Sequence, residues 1–288
     1  SSVITMKAMF IGATSFNQEI GNWNVSNVTN MQDMFYDATA FNQPIATWNT
    51  SSVVLMKCMF DGATAFNQHI GNWNTSAVTD MRWMFHKASS FNKPIGNWDV
   101  SKVTKAEGMF NGATAFNQPI GDWDVTAVTN MQKMFRYSPS FNQYLGNWNV
   151  SAVTDMDEIF RGASTFDQDI SDWNVSADAN MTDMFKNTTA LSSSHKERIH
   201  ASFSSNPNWP YDWSDQSTQT GSGDSNATNP DSNGTQVAPG DSNATQPENN
   251  STQPGPADGN ATGENNISPP DGNATDQNQS TTSPTGPV

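Results

Sequence analysis

The chain has 288 residues, a formal net charge of −15 and a pI of about 4.3, with 34% apolar residues and one cysteine. A balance this acidic lacks the basic footprint that nucleic-acid phosphates or an anionic membrane demand, and a single thiol cannot build a disulfide framework. No apolar run reaches the length of about 18 residues needed to span a bilayer, so solubility and neutral or cationic partners are expected.

A fixed period begins at once. Met-Phe falls at 9–10, 34–35, 59–60, 84–85, 109–110 and 134–135, becomes Ile159-Phe160, and returns at 184–185. Trp keeps the same 25-residue step from Trp23 to Trp173, as does Phe from Phe16 to Phe166. Such a period marks a solenoid, in which each unit buries its apolar face only by stacking on its neighbours. Ser1 already lies inside a repeat, with no initiator Met and no signal peptide, so the chain reads as excised from a longer one.

Within one copy, Met31, Met34, Phe35 and Ala38 stand at i, i+3, i+4 and i+7, the stripe of a short helix. Thr29 and Gln32 read as its capping box, repeated at Thr104/Glu107 and Thr129/Gln132 and more weakly at Thr154/Asp157. Gly12, Gly62, Gly112 and Gly162 fall where such a helix ends. Phe16-Asn17-Gln18 turns the chain. Ile20 to Ser26 then alternates, predicting a short strand with Trp23 and Val25 inward and Asn22, Asn24 and Ser26 outward. The expected fold is an α/β solenoid. Eight strand-helix repeats of 25 residues stack through a parallel sheet with right-handed crossovers into a leucine-rich-repeat-like rod.

The pattern Phe-Asn-Gln-x-Ile-Gly-x-Trp-Asn/Asp-Val-Ser-x-Val-Thr-x-Met-x-x-Met-Phe resembles the repeat of BspA-like leucine-rich-repeat surface proteins, over about residues 1–190. These are known from bacterial surface lipoproteins and are abundant in some protists and algae. The resemblance implies a solenoid outside the cell or on its surface, assigned to adhesion or protein binding. It supplies no catalytic residues.

The array is predicted to occupy 1–190 and a C-terminal cap 191–213. Ser194-x-x-Glu197 opens a cap helix with Ile199 and Phe203 on one side, and Phe203, Trp209 and Trp213 cover the last rung. No equivalent guards the first rung, so Met6, Met9 and Phe10 lie at an exposed edge, which either invites pairing or marks a truncation. Residues 214–288 lack Lys, Arg, Phe, Trp, Tyr, Met and Leu and are expected to be disordered. Sequons at Asn226, Asn233, Asn243, Asn249, Asn250, Asn260, Asn266, Asn273 and Asn278 suggest a glycosylated stalk in a secreted eukaryotic protein.

The candidate ligand face is the outward column Asn24, Asn49, Asn74, Asp99, Asp124, Asn149 and Asn174, alongside Ser26, Ser51, Ser76, Ser101, Thr126, Ser151 and Ser176. It reads either as a row that binds a protein, a glycan or an ordered surface, or as a ladder satisfying nearby backbone. Five of these Asn also begin sequons, too close together for all to be glycosylated. The Met pairs are core at helical spacing rather than a copper site, and the Trp column is inward rather than a sugar platform. His195 and His200 lack the spacing of a zinc motif. The Asx pairs at Asn22/Asn24, Asp122/Asp124 and Asp172/Asn174 offer at most weak calcium sites. Cys58 fills a chemically varied slot and is expected to be partly exposed. With no catalytic constellation, no cofactor and no metal are expected. The reading is a non-enzymatic adhesion module; the alternatives are a self-associating wall or sheath component and, behind it, an ice- or mineral-binding surface.

Overall fold

The structure, a computed structural model, describes residues 3–214. Chain contacts divide the molecule into Ser1–Ser225 and Asn226–Val288. The second unit, the tail beyond Ser214 and its nine sequons lie outside the described residues.

Each 25-residue copy is one turn of chain laid against the next in register. Thr5 bridges Asn30 in parallel, Asn30 bridges Leu55, and the series runs to Asp155 with Asn180. Around each bridge, four alternate amides donate to the following turn. Met6, Ala8, Phe10 and Gly12 donate to the carbonyls of Asn30, Gln32, Met34 and Tyr36 at 2.7–2.9 Å, and the set recurs down to Met156, Glu158, Phe160 and Gly162.

This ladder replaces the predicted helix. Residues 31–38 form consecutive turns, because Asp33 and Asp37 sit at φ 55° and 52°. Every copy has left-handed residues at these two places, and each one stops right-handed winding. A helix of two turns would leave most of its amides and carbonyls without partners, whereas the ladder points them at the next turn. The expected capping boxes are absent for the same reason. The Thr29 hydroxyl donates to the Ile4 carbonyl of the preceding turn at 3.3 Å, and the Gln32 amide donates to Asn30 Oδ1 at 2.9 Å. Thr104, Thr129 and Thr154 likewise reach back one turn.

The predicted strand from Ile20 to Ser26 does not form either. Tight turns take its place, with the Trp23 amide on the Ile20 carbonyl at 3.0 Å and the Val28 amide on Val25 at 2.9 Å. Strand pairing shrinks to one bridging residue per turn, and it lies at Asn30 and its equivalents rather than beside the Trp. The sidedness follows the expectation in part: Val25 is buried and Asn24 exposed. Trp23, expected inward, is 37% exposed because its turn has no preceding turn among the described residues to cover it, whereas Trp48 to Trp173 are buried.

Register brings identical side chains together. The Phe10-to-Phe185 column stacks at 5.5–5.7 Å between successive rings. Within each turn it also meets the Phe16-to-Phe166 column at 3.9–4.1 Å. Each ring fully buried contributes about 1.5–3 kcal/mol. From Trp48 onward the tryptophans are buried, and each indole N–H from Trp48 to Trp173 donates to an Ile or Leu carbonyl of the preceding turn at 2.9–3.2 Å. A second polar ladder runs through Asn17, Asn42, Asn67, Asn92, Asn117 and Asn142. Each Oδ1 accepts the amide of the equivalent residue one turn on, at 2.9–3.1 Å.

The two ends of the described stack differ. At the first turn Val3, Ile4, Met9 and Ile11 are exposed. At the last, α1 (Ser193–Phe203) packs Ile199 and Phe203 inward. Its N-cap is Ser192, which accepts from the His195 amide, two residues before the predicted Ser194. Phe185 is ringed by Trp209, Tyr211 and Trp213, and the Tyr211 hydroxyl accepts the Phe185 amide at 2.7 Å. Tyr211 thus stands in for the carbonyl that a following turn would supply.

Candidate functional site

The seven Asx residues of the outward column are all exposed, and the bridge register places them on successive turns. In the first six, Oδ1 accepts the amide two residues on, at 3.0–3.2 Å. In Asn24, Asn74, Asp99 and Asp124 the same oxygen also takes the hydroxyl of Ser26, Ser76, Ser101 or Thr126 at 2.6–2.7 Å. These hydroxyl bonds, with the amide bonds behind them, hold the Asp99 and Asp124 carboxyls below the ordinary carboxylate range. One atom of each side chain is therefore spent on its own turn, and the second, an amide NH₂ or a carboxylate oxygen, is left to face solvent. The row is a fixed series of neutral donors interrupted by two carboxylates.

Asn174 departs from the series. Where the other copies close the next turn with Val153 donating to Val150 or its equivalent, the last copy has Ala179 donating to Ser176, one residue later. The cause is Asp178, which replaces the buried Val, so that Ala179 goes inward instead. The slip draws Ser176 away, and Asn174 makes no hydrogen bond among the described residues.

A second row, beside the ladder, carries chemistry that the sequence reading passed over. It comprises the seventh, eighth, eleventh and twelfth residues of each turn. Lys7, Lys57, Arg82, Lys87, Lys133, Arg136, Arg161 and Lys186 all lie here, eight of the chain's thirteen Lys and Arg. Glu158 anchors a network with Lys133, Arg136 and Arg161, extended through Asp183 to Lys186. His86 meets Asp61 at 2.8 Å, and Arg82 meets Asp80 at 2.7 Å. Burial works against ionisation of Asp80, but the Arg82 hydrogen bonds outweigh it and hold the carboxyl low.

Large side chains at the twelfth position alternate with glycine: Gly12, Asp37, Gly62, Lys87, Gly112, Tyr137, Gly162, Asn187. At Gly62 and Gly162 the reason is steric. A Cβ on Gly162 would lie 2.5 Å from Tyr137 Cδ1, and one on Gly62 would lie 2.0 Å from Asp37 Oδ1. Trp83 lies across Gly108 in the same way at the eighth position. This two-turn alternation was visible in the sequence as a doubling of the repeat.

Cys58 corrects an expectation. It is only 8% exposed, and burial followed by the nearby Asp61 and Asp33 pushes the thiol up to about 12. His195 and His200 have separate partners: His195 Nδ1 meets Asp167 at 2.6 Å, and His200 Nδ1 accepts the Trp209 indole at 3.1 Å. Met31, Met34 and their equivalents from the second turn on are core. Asn22, Asp122 and Asp172, the other halves of the calcium candidates, are exposed. Among the described residues, no three His, Cys, Asp or Glu gather as a metal site, and no helix is long and apolar enough to cross a membrane.

The family model described as Mycoplasma protein of unknown function, DUF285, matches three overlapping stretches, residues 1–93, 45–135 and 117–202. No curated protein and no solved structure matches.

Proposed function

This chain belongs to the family described as Mycoplasma protein of unknown function, DUF285, and from that premise we propose a non-enzymatic adhesion module, secreted or displayed on a cell surface, that binds a protein or glycan ligand. The turns are taken as a solenoid of the BspA-like leucine-rich-repeat kind, and the tail as its stalk. The observation that carries the reading is the outward Asx row. Six of its seven side chains are already fixed by their own turns, so a ligand recognised there costs little side-chain entropy. Donors repeating once per turn suit a ligand that is itself repetitive.

Full-length chain applied to a glycan array and to a panel of immobilised secreted proteins tests this directly. At least one saturable ligand is expected. Asn74→Asp with Asn149→Asp keeps each Oδ1 acceptor but turns an outward donor into an acceptor. That pair is expected to weaken binding about tenfold or more with the melting temperature unchanged. No ligand above background sinks the reading.

The exposed Val3, Ile4, Met9 and Ile11 of the first described turn favour a second reading, a self-associating structural component. It predicts concentration-dependent oligomers in sedimentation, reduced by Ile4→Lys. A monomer at every concentration removes it.

A further inference from the structure

Where α1 and the segment after it meet the last turn, the surface holds a cleft of about 290 Å³. Its accessible apolar lining comes from half-buried Val175 and exposed Ala177 and Pro207, while Trp173 and Phe203 are buried; polar lining includes Asn174 and Ser205. No charged side chain lines it.

The polar groups are not equivalent. Asn206 is committed to structure: its Nδ2 donates to the Ser176 carbonyl at 2.9 Å and its Oδ1 accepts the Asn208 amide at 2.9 Å. Ser202 is likewise held, donating to the Ser171 carbonyl at 2.7 Å. Among the described residues, Asn174, released from its turn by the one-residue slip, has no hydrogen-bond partner for either carboxamide atom, and Ser205 Oγ has none. The place where the Asx row meets a concave wall is therefore the place where a member of that row has an unused acceptor and two unused donor hydrogens.

We propose that this cleft binds one neutral sugar ring, such as the terminal residue of a glycan. A pyranose presents an apolar C–H face to an apolar floor and hydroxyls to a polar rim, and the cleft has both. An anion finds no cation here and a metal ion no carboxylate. A purely apolar ligand would bury the Asn174 amide without a partner. The volume, about 290 Å³, falls just under the range of about 300–1,000 Å³ for small-molecule sites, which fits one ring rather than a chain. The proposal rests on the binding-module reading but not on the Asx row as the contact.

The test uses the full chain with glucose, galactose, mannose and N-acetylglucosamine, each titrated to tens of millimolar by saturation-transfer NMR. At least one should bind saturably. Asn174→Ala, at an exposed residue with no hydrogen bond to lose, should weaken it about tenfold with the melting temperature unchanged. Ser205→Ala should weaken it less, and Lys102→Ala, at an exposed residue remote from the cleft in the sequence, not at all. Saturation by none of the four overturns the cleft while leaving the array experiment to judge the wider reading. Binding that survives Asn174→Ala but falls with Asn149→Ala moves the ligand to the Asx row and overturns the cleft too.

Discussion

At the scale of single residues, the left-handed positions decide what each turn tolerates. Trp83, Lys87, Lys133, Tyr137 and Glu158 all stand at φ between 54° and 61°, where a side chain costs on the order of 1–2 kcal/mol relative to glycine. Gly108 shows the converse. It sits at φ 59° with Trp83 Cε3 2.2 Å from where a Cβ would be. Gly108→Ala is expected to destabilise by about 2–3 kcal/mol in denaturant melts, the sum of backbone strain and overpacking. In a Trp83→Ala background only the strain should remain, so the double-mutant cycle should show coupling of about 1 kcal/mol or more. Cys58 makes a second test. With its thiol raised from 9.0 to about 12, folded protein at pH 8 should not react with a thiol reagent until it is denatured. The unfolded chain loses that proton from pH 9 while the folded chain keeps it to about 12, so this group lowers stability progressively across that window.

At the scale of the element, a sequence period that fits a helix was spent on a ladder. Met31, Met34, Phe35 and Ala38 do all point inward and are all buried. Spacing reports which side chains share a face, and a coil of consecutive turns with two left-handed residues presents the same set. The hydrogen-bond partner is what differs, and it lies 24 residues away. The cap is the other element with a testable dependence. Asp167 ends the Asn ladder, accepting the Ser192 amide at 2.9 Å and meeting His195 at 2.6 Å; Asp169 meets Arg198 at 3.0 Å. Burial opposes ionisation of both, yet the hydrogen bonds and these cations hold both carboxyls below the ordinary 3.8. A depressed carboxyl contributes stability above its unfolded value and loses it as pH falls through the folded one. Trp209 and Trp213 fluorescence should therefore report loosening of the cap below about pH 4, and Asp167→Asn with Asp169→Asn should flatten that acid transition.

At the scale of the whole molecule, stability is a sum over turns and the contacts between neighbours. Removing Ser76–Val100, one full period, joins turns whose ladders and Phe columns still match. That variant should unfold cooperatively with a modestly lower melting temperature in circular dichroism. Removing Ser76–Asp99 instead shifts every following residue by one, setting Phe and Met against polar neighbours, and should abolish the cooperative transition. The comparison isolates register from mere length.

Register and most of the inward set were legible in the chain itself, because Met, Phe and Trp recur every 25 residues; Trp23, read as inward, is the exception at 37% exposed. Even the slip at Asn174 had its signal, the loss of Val at Asp178. Which atoms the backbone bonds to was settled by the stacked structure alone. A lone turn of Met31–Ala38 satisfies a helix and a ladder equally on paper, and the choice falls to the ladder once a neighbouring turn stands ready with carbonyls that a two-turn helix cannot supply. The same holds for Cys58, whose burial depends on the side chains one turn away.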